Sequence, residues 1–439
     1  MPTADRVPQG ESRSAAGLVE HFFRHESANL VAVLSRAFGV NRLDLIEDQV
    51  QAAMLEAMDA WKHRGVPDNP AGWIHRVARN RILDAIRREK VHQRAASHAG
   101  QSIEATESLV SQWLEEDQLP DSLLRMMFVC CHPSLDRSSQ IALTLKVLCG
   151  FGITEIARGL LTNPETIKKR IQRAKKKLAE QNVGVELPQN AELQERLSVV
   201  HDALYLLFNE GYSTSHGHDP IRDDLCEEAA RLCLLLCENQ IGTPETFALL
   251  ALFLFQGSRL DSRVDKTGAV VLLEDQDRSL WDRRLIGVGE SWLRKSGSPT
   301  SRFHLEAGIA LLHCRAASVV ETNWAAIVTL YNRLLQLMPS PIYRLNRAIA
   351  VAQAGDMDAA TNELLDLKEE ASLSDYFLLD CAQARVSELS GDVHAAIDCY
   401  LKAISRGVAP HERTLIEKKI AALTTGSDAI AKRQTQPRQ

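Results

Sequence analysis

The stretch ITEIARGLLTNPETIKKRIQRAKKKL (Ile153–Leu178) decides the fold, because its pattern is that of two short helices joined by a tight turn. Thr154 is a good N-cap for the first helix, and Glu155 suits its first turn. Pro164 stands where the second helix would begin, a position at which its missing N–H costs nothing. The turn is expected near residues 161–163. The stretch therefore predicts a helix-turn-helix.

The second helix of this stretch is apolar on one side and basic elsewhere. Steps of four, three and four residues relate the apolar positions Ile167, Ile171, Ala174 and Leu178, which makes one buried stripe. The other faces carry a dense run of cations: Lys168, Lys169, Arg170, Arg173, Lys175, Lys176 and Lys177. A basic face is often only a solvated surface. In a helix-turn-helix it favours the DNA major groove, where phosphates attract cations and arginine or lysine reaches guanine edges.

The overall composition is that of a soluble protein with more than one domain. Of the 439 residues, 45% are hydrophobic and 25% are charged, and nine cysteines in a chain this long do not make a disulfide scaffold. No apolar run has membrane-spanning length and no signal peptide is evident, which predicts a cytoplasmic protein without a membrane partner. The net charge is −6, but the acidic excess lies beyond residue 190. That acidic part is expected to meet protein or a small ligand rather than nucleic acid.

A helical pattern between residues 17 and 64 combines an apolar stripe with an acidic face. Helical spacing relates Val50, Met54, Ala57 and Trp61. The acidic face carries the carboxylates of Asp44, Glu47 and Asp48. Gln51 and Leu55 extend this face from Glu47 in steps of four residues. Such a face commonly serves solubility alone, and the alternative is a docking surface for a basic partner.

A basic helix follows a loop of turn residues that runs from His63 to Pro70. Its inner stripe consists of Ile74, Ala78, Ile82 and Ala85. Its outer surface carries Arg76, Arg79, Asn80, Arg81, Arg87, Arg88 and Lys90. Trp73 stands at the helix start, either as a core residue or as a stacking platform for the bases of an opened nucleic acid.

These three segments, in this order and spacing, resemble regions 2 and 4 of a bacterial RNA polymerase sigma factor of the extracytoplasmic-function group. DLIEDQVQAAML (44–55) resembles the segment that grips the clamp helices of the polymerase β′ subunit. GWIHRVARNRILDAIRR (72–88) is similar to the segment that melts and reads the −10 promoter element. TEIARGLLTNPETIKKRIQRAKKKL (154–178) resembles the motif that reads the −35 element.

The resemblance implies a role for each matching residue. Core polymerase binding falls to Asp44, Glu47, Asp48, Gln51 and Leu55. The −10 contacts fall to Asp68 and Asn69, in the loop that captures a flipped base in this family, and to Trp73, Arg76, Arg79, Asn80, Arg87 and Arg88. The −35 contacts fall to Glu165, Thr166, Lys168, Lys169, Arg170 and Arg173. The implied partners are core RNA polymerase, through its β′ clamp helices and β flap, and promoter DNA.

One position departs from the family pattern. The turn of the helix-turn-helix often holds glycine in this family, where this chain has Leu161. Because leucine resists positive φ, the turn is expected to differ slightly.

The last part of the chain contains a repeat. AGDMDAA (Ala354–Ala360) returns as SGDVHAA (Ser390–Ala396), about 36 residues later, close to the period of about 34 of tetratricopeptide repeats. The whole chain is similar to the subgroup of these sigma factors with a tetratricopeptide-like C-terminal extension. In that subgroup the extension is thought to regulate the sigma factor, which implies a possible protein or peptide ligand.

Other chemistry-bearing residues are interpreted as structural. The acidic LLEDQDRSLWD (Leu272–Asp282) is expected to form a salt-bridge corner rather than a metal site, and the pair of His216 and His218 is a weak metal signal. The cysteines Cys226, Cys233, Cys237, Cys130 and Cys131 are expected in the core. We therefore expect no catalytic residue, no metal and no cofactor.

These patterns predict an all-α protein in four parts. Sigma region 2 is expected at residues 17–90, a linker at 91–120, the region 4 helix-turn-helix at 121–182, and a helical, tetratricopeptide-like regulatory domain at 191–425. The expected function is promoter-specific transcription initiation, without enzymatic activity. The alternative is a repeat scaffold that binds DNA as a transcriptional regulator without sigma activity, which would not need the face from Asp44 to Leu55.

Overall fold

The described part of the chain is built from α-helices. The computed structural model describes residues 15–93, 119–160, 162–212, 221–265, 270–297, 301–370, 373, 376–408 and 410–434. Within these ranges no β-strand occurs, and an isolated antiparallel bridge joins Val264 and Val270. The all-α prediction is confirmed. Most of the expected linker, from residue 94 to residue 118, lies outside the described residues.

The first three helices share one apolar core. They are α1 (Ala15–Phe38), α2 (Leu43–Arg64) and α3 (Pro70–Gln93), with a short 3-10 turn at Val40–Arg42 between the first two. Apolar stripes from all three meet in this core at Leu30, Leu34, Ile46, Val50, Ile74 and Ile82. The stripes predicted from helical spacing are buried as expected, although Trp61 and Ala85 at their ends are only partly covered.

Four shorter helices form the helix-turn-helix part. They are α4 (Leu119–Cys130), α5 (Arg137–Val147), α6 (Ile153–Gly159) and α7 (Pro164–Glu180). Thr154 lies inside the first turn of α6, so the prediction that it caps this helix is wrong. Gly152 occupies the N-cap position, since its carbonyl accepts from the Ile156 N–H, and the Glu155 carboxylate reaches back and accepts a hydrogen bond from the Gly152 N–H at 2.7 Å.

The recognition-type helix α7 begins and packs as predicted. Asn163 is its N-cap and accepts a hydrogen bond from the backbone N–H of Thr166 at 2.8 Å, and Pro164 occupies the first helical position. Its buried residues are Ile167, Ile171, Ala174 and Leu178. The turn prediction that concerns Leu161 lies outside the described residues.

The helix-turn-helix part packs against α1. Arg36 of α1 forms an ion pair with Asp121 at 2.9 Å and donates a hydrogen bond to the Ser122 hydroxyl at 3.2 Å. Arg24 stacks over the ring of Phe151, 5.2 Å from its centroid. Both sets of helices therefore belong to the first of two compact units, which divide between Leu207 and Phe208.

The division between the units falls within helix α8 (Asn190–Tyr212). The first part of this helix packs on the helix-turn-helix part. Arg196 donates a hydrogen bond to the Phe128 carbonyl at 3.1 Å, and Asp202 forms an ion pair with Arg137. The sequence analysis predicts that the C-terminal domain begins at residue 191. These contacts instead place the start of α8 with the first unit, which ends at Leu207.

The second unit begins with a group of helices around an apolar one. The group comprises α9 (Asp223–Glu238), α10 (Pro244–Gly257), α11 (Arg283–Lys295) and α12 (Arg302–Arg315). Helix α10, PETFALLALFLFQG, is apolar on all sides and is buried along most of its length. A capping box between Thr243 and Thr246 fixes its start.

The remaining helices follow as consecutive pairs. They are α13 (Trp324–Leu337), α14 (Pro341–Gln353), α15 (Met357–Lys368), α16 (Phe377–Ser390), α17 (Val393–Ser405) and α18 (Pro410–Gln434). Buried residues of α14, α15 and α16 share one cluster, which includes Ala352, Leu364 and Ala382. Buried residues of α16, α17 and α18 share the next, so each helix packs on its neighbours in the chain.

The repeated Gly-Asp motif forms the same turn twice. Gly355 has a φ of 100° and Gly391 a φ of 85°, values that glycine adopts without the steric cost of a Cβ. In each copy the following aspartate caps the next helix. Asp356 accepts from the Ala359 N–H and Asp392 from the Ala395 N–H, both at 3.0 Å. The sequence repeat is therefore a structural repeat of helix, tight turn and helix.

Candidate nucleic-acid interface

The outer faces of α7 present a field of positive charge. The cations Lys168, Lys169, Arg173, Lys176 and Lys177 are exposed, and Arg170 is half-buried. Among the residues that the structure describes, the ion pairs of α7 involve Lys175 and Lys176, and none involves Lys168, Lys169, Arg170 or Arg173. At the helix start Glu165 is exposed and Thr166 is half-buried. The part of the face from Lys168 to Arg173 thus has no ion-pair partner among the described residues, as binding to a polyanion requires.

Lys175 is the exception on this helix. Its ammonium group forms ion pairs with Asp44, at 2.7 Å, and with Glu47, and its side chain is only 11% exposed. Burial alone would lower the pKa of Lys175, but the attraction and hydrogen bonds of Glu47 and Asp44 outweigh it and raise that pKa. The structure therefore joins α7 to two of the five residues predicted to bind the polymerase core.

The other predicted core-binding residues form an open face on α2. Asp48 and Gln51 are exposed, and the Leu55 side chain is 62% exposed. Met58 extends the same face by one helical turn and is 56% exposed. Sequence reasoning missed Met58, although its position three residues after Leu55 was a usable signal. An exposed apolar pair beside carboxylates is typical of a protein docking surface.

The loop residues before α3 are placed by the helix start. Asn69 is the residue before the first helical residue, Pro70, and its side-chain oxygen accepts a hydrogen bond from the Gly72 N–H at 2.8 Å. Both Asp68 and Asn69 are exposed. This hydrogen bond uses the side-chain oxygen of Asn69 and fixes the side-chain orientation. The side-chain amide nitrogen of Asn69 takes no part in the cap.

The cations of α3 are more strongly tied to neighbours than those of α7. Arg87 forms an ion pair with Asp84 at 3.2 Å, and Arg81 forms one with Glu56 at 3.0 Å. Arg79 donates to the Asn80 side chain at 3.5 Å. The exposed positions on this helix include Arg76, Asn80, Arg87 and Arg88. The predicted −10 residues therefore share one helix surface with Asp68 and Asn69 at its start.

Trp73 belongs to an aromatic cluster. Its ring meets Trp61 edge-on with the centroids 5.9 Å apart, and Trp61 stacks on Phe23 at 5.6 Å. Trp73 is only half-buried, so part of the indole remains accessible. It thus combines a packing role with an accessible surface beside the predicted −10 residues.

A buried contact between His75 and Glu26 anchors α3 to α1. His75 lies 2.7 Å from a carboxylate oxygen of Glu26. Burial would raise the pKa of Glu26, but hydrogen bonds and attraction from His25 and His75 lower it to about 2. This pair, which the sequence analysis did not identify, holds the basic helix in place.

The acidic segment of the extension is engaged in ion pairs. Glu274 pairs with Arg385 at 2.5 Å and Lys419 at 2.6 Å, and Asp275 pairs with Lys419 at 3.0 Å. The predicted salt-bridge corner is therefore confirmed. His216 and His218 lie outside the described residues. Across the described ranges, no group of three or more His, Cys, Asp or Glu residues is placed to hold a metal ion.

The cysteines that were expected in the core are buried there. They are Cys130, Cys131, Cys226, Cys233 and Cys237, and all nine cysteines of the chain are free thiols. Burial raises the pKa of Cys131 to about 12, so its thiol stays protonated. In the part of the chain with described structure, no helix is both long enough and apolar enough to cross a membrane.

Comparisons with known proteins agree with the geometry of the first unit. Residues 22–91 match Sigma-70 region 2 and residues 125–178 match Sigma-70, region 4, while residues 196–297 match a family of unknown function (DUF6596). Uncharacterized protein R00370 of Rhizobium meliloti (strain 1021) is 36% identical over 408 residues, which cover 91% of this chain and 92% of that protein. No solved structure matches the chain. The chain belongs to one family with this Rhizobium meliloti protein, and its two sigma-70 regions make it a sigma factor of RNA polymerase.

Proposed function

We propose that the chain directs promoter-specific transcription initiation, with the polymerase and DNA surfaces divided between α2, α3 and α7. The observation that carries the proposal is the separation of charge within the first unit. Lys168, Lys169 and Arg173 on the exposed side of α7 form no ion pair among the described residues, whereas the exposed face of α2 is acidic and apolar. A protein that only binds duplex DNA has no use for the second surface.

Asp48, Gln51, Leu55 and Met58 form the proposed polymerase-docking face. Carboxylates around exposed apolar side chains suit a partner that is basic and partly apolar, here the clamp helices of the β′ subunit. Asp44 and Glu47 lie on the same helix but bind Lys175 in this structure. Their use by polymerase therefore requires α7 to leave α2, which would also free region 4 for the β flap and the −35 element.

The start and outer face of α3 form the proposed −10 surface. Asp68 and Asn69 stand at its start, next to the half-buried indole of Trp73. Unstacking the duplex costs a few kcal/mol per step, which captured bases and phosphate contacts help to offset. The cationic and amide side chains along the helix would supply these contacts: Arg76, Arg79, Asn80, Arg87 and Arg88.

Helix α7 is the proposed −35 reader. Its buried stripe sets its orientation, and Glu165, Thr166 and Lys169 lie on its N-terminal half, the end that enters the groove in helix-turn-helix proteins. The flanking cations Lys168, Arg170 and Arg173 would contact phosphates or guanine edges.

The extension is proposed to modulate this activity through stacked helix pairs of the tetratricopeptide type. The repeated Gly-Asp turn supports this assignment, because stacked helix pairs bury a shared core and leave a surface for a protein or peptide. This domain would act in the cytoplasm, where the polymerase is.

The test of the proposed function is binding of core RNA polymerase by the full chain. Asp48→Arg reverses a charge at the centre of the proposed docking face and is expected to lower core affinity by at least about tenfold. Asp358→Arg, at an exposed position of α15, serves as the control with the same charge change and is expected to bind as wild type does. Equal core binding by Asp48→Arg and wild type, or no core binding by wild type, would instead support a regulator that works without polymerase.

A further inference from the structure

The second unit contains a cluster of three arginines around two aromatic rings. The Arg263 guanidinium stands over the Tyr212 ring, 3.7 Å from its centroid. The Arg259 guanidinium lies 5.8 Å from the centroids of both Tyr212 and Trp281, and Arg278 lies 4.9 Å from that of Trp281. The five residues come from three separate stretches of the chain, so folding brings three like charges together at one place.

The hydrogen bonds of the three arginines are unequal. Arg278 is occupied, because its guanidinium donates to the carbonyls of His313 at 2.8 Å and Ala316 at 2.7 Å, at the end of α12. Arg259 donates through one terminal nitrogen to the Tyr212 hydroxyl at 2.9 Å and to Gln256, but its buried Nε has no acceptor. Arg263 makes no side-chain hydrogen bond within the described residues, and its Nε is also buried.

The cluster has no ion-pair partner among the described residues, although the Glu321 carboxylate attracts Arg278 from beyond ion-pair distance. Two carboxylates close to the cluster in the chain are engaged elsewhere. Asp265 pairs with Lys418 at 3.0 Å, and Asp282 caps α11. Burying a charge without a partner is costly, and buried charges in proteins are normally paired. Arg259 is nevertheless only 5% exposed.

The positive charge of the cluster also affects the pKa of a nearby histidine. Burial and the charges of Arg259 and Arg278 lower the pKa of His313 to about 3, so its imidazole stays neutral. The local carbonyls and aromatic rings therefore support the arginines without neutralising them.

We propose that Arg259 and Arg263 form a binding site for the phosphate or carboxylate group of a small molecule. Guanidinium groups bind such oxyanions through paired N–H donors, and stacking on Tyr212 holds the Arg263 plane in a fixed orientation. The ligand is expected to be small, because Arg259 is almost fully buried and Trp281 is 2% exposed, while Arg263 is half-buried. Arg278 contributes positive charge and holds the end of α12. The site would provide the extension with a small-molecule input, and it does not depend on the proposed function.

Thermal unfolding and calorimetric titration of the full chain test this site. Sodium phosphate and sodium citrate, each compared with sodium chloride at equal ionic strength, separate a phosphate ligand from a carboxylate ligand. We expect at least one of the two to raise the unfolding midpoint by a few degrees or more and to bind measurably. Because phosphate-type salts also stabilise folded proteins in general, it is saturable calorimetric binding of phosphate, of citrate or of both that supports the site and identifies its chemistry.

The variant Arg263→Gln tests the assignment to these residues. Because Arg263 makes no side-chain hydrogen bond in the described structure, this variant should fold, and it is expected to weaken anion binding by at least about tenfold. Arg284→Gln removes an exposed arginine of α11 and should leave binding unchanged. The proposal is overturned if neither anion binds beyond the chloride control, or if Arg263→Gln binds as tightly as wild type.

Discussion

Helices α3 and α7 are both basic on the outside and apolar on the inside, yet their cations are in different states. On α3, Arg81 and Arg87 are held by carboxylates of Glu56 and Asp84. On α7, the cations from Lys168 to Arg173 are free of ion pairs among the described residues. A cation that already has a carboxylate partner gains less interaction free energy from a phosphate. The number of cations on a helix therefore overestimates its electrostatic attraction to DNA. We therefore expect α7 to supply most of the electrostatic attraction to DNA, which leaves base capture as the proposed role of α3.

The largest effect is expected from reversing two charges on α7. Lys169→Glu combined with Arg173→Glu replaces two attractions to phosphates with two repulsions and should weaken promoter binding by roughly a hundredfold or more. Fluorescence anisotropy of a labelled promoter duplex with the reconstituted holoenzyme measures the change. The control is the same double reversal at Arg284 and Arg413, exposed positions of the second unit. An equal loss of promoter affinity in both double variants would show that the cations of α7 make no specific contribution to DNA binding.

Trp73→Ala tests the part assigned to α3. Loss of a stacking platform should reduce open-complex formation by about tenfold or more, while binding to closed duplex changes little. Permanganate reactivity of opened thymines measures the first quantity and anisotropy the second. Trp73→Phe keeps both the packing on Trp61 and a stacking face, and should retain most of the activity. A wild-type level of opening in the alanine variant would assign Trp73 to the core alone.

Two adjacent arginines of α3 provide a direct test of the carboxylate argument. Arg88→Ala removes an exposed cation and should weaken promoter binding by about fivefold to tenfold, as the loss of one phosphate contact does. Arg87→Ala removes a cation that is paired with Asp84 and should weaken it by only about twofold. The salt dependence of binding should become shallower mainly in the first variant. If Arg87→Ala is the more damaging change, ion pairing does not control the contribution of a cation.

The smallest effect is expected at the contact between the two surfaces. Lys175→Met removes the ion pairs to Asp44 and Glu47, so these two carboxylates are available to polymerase more often and core affinity should rise by about twofold to fivefold. Competition with wild type for limiting core enzyme measures this ratio. Lys176→Met, a change at an exposed neighbour, should leave the ratio at one. A lower core affinity in Lys175→Met would mean that the contact does not restrain binding.

The helices and the division of their residues between buried and exposed faces were predictable because their determinants are local. The period of the apolar residues places Ile167, Ile171, Ala174 and Leu178 on one buried side, and the cations between them must then lie outside. Pro164 marks the helix start by its own covalent geometry. The start of α6 was missed because its N-cap position is Gly152, which has no side chain to signal a cap, and the Glu155 carboxylate that bonds to the Gly152 N–H lies inside the helix.

Contacts between distant segments were beyond prediction from sequence patterns. Sequence patterns place Lys175 on the basic surface. Its ion pair with Glu47 could not be predicted, because Glu47 lies on a helix far away in the chain and no local period relates the two residues. The arginine cluster was not predicted for the same reason, since Tyr212, Arg263 and Trp281 come together only after folding. Charge patterns predict surfaces, but they do not predict which charges neutralise one another.

Run-off transcription with reconstituted polymerase tests the central claim most directly. The account predicts that core enzyme supplemented with the full chain starts transcripts at defined promoters of a genomic fragment library. It also predicts that both Asp48→Arg and the double variant Lys169→Glu, Arg173→Glu lose most of this product. The absence of any transcript with the wild-type chain, or undiminished product with both variants, would contradict it.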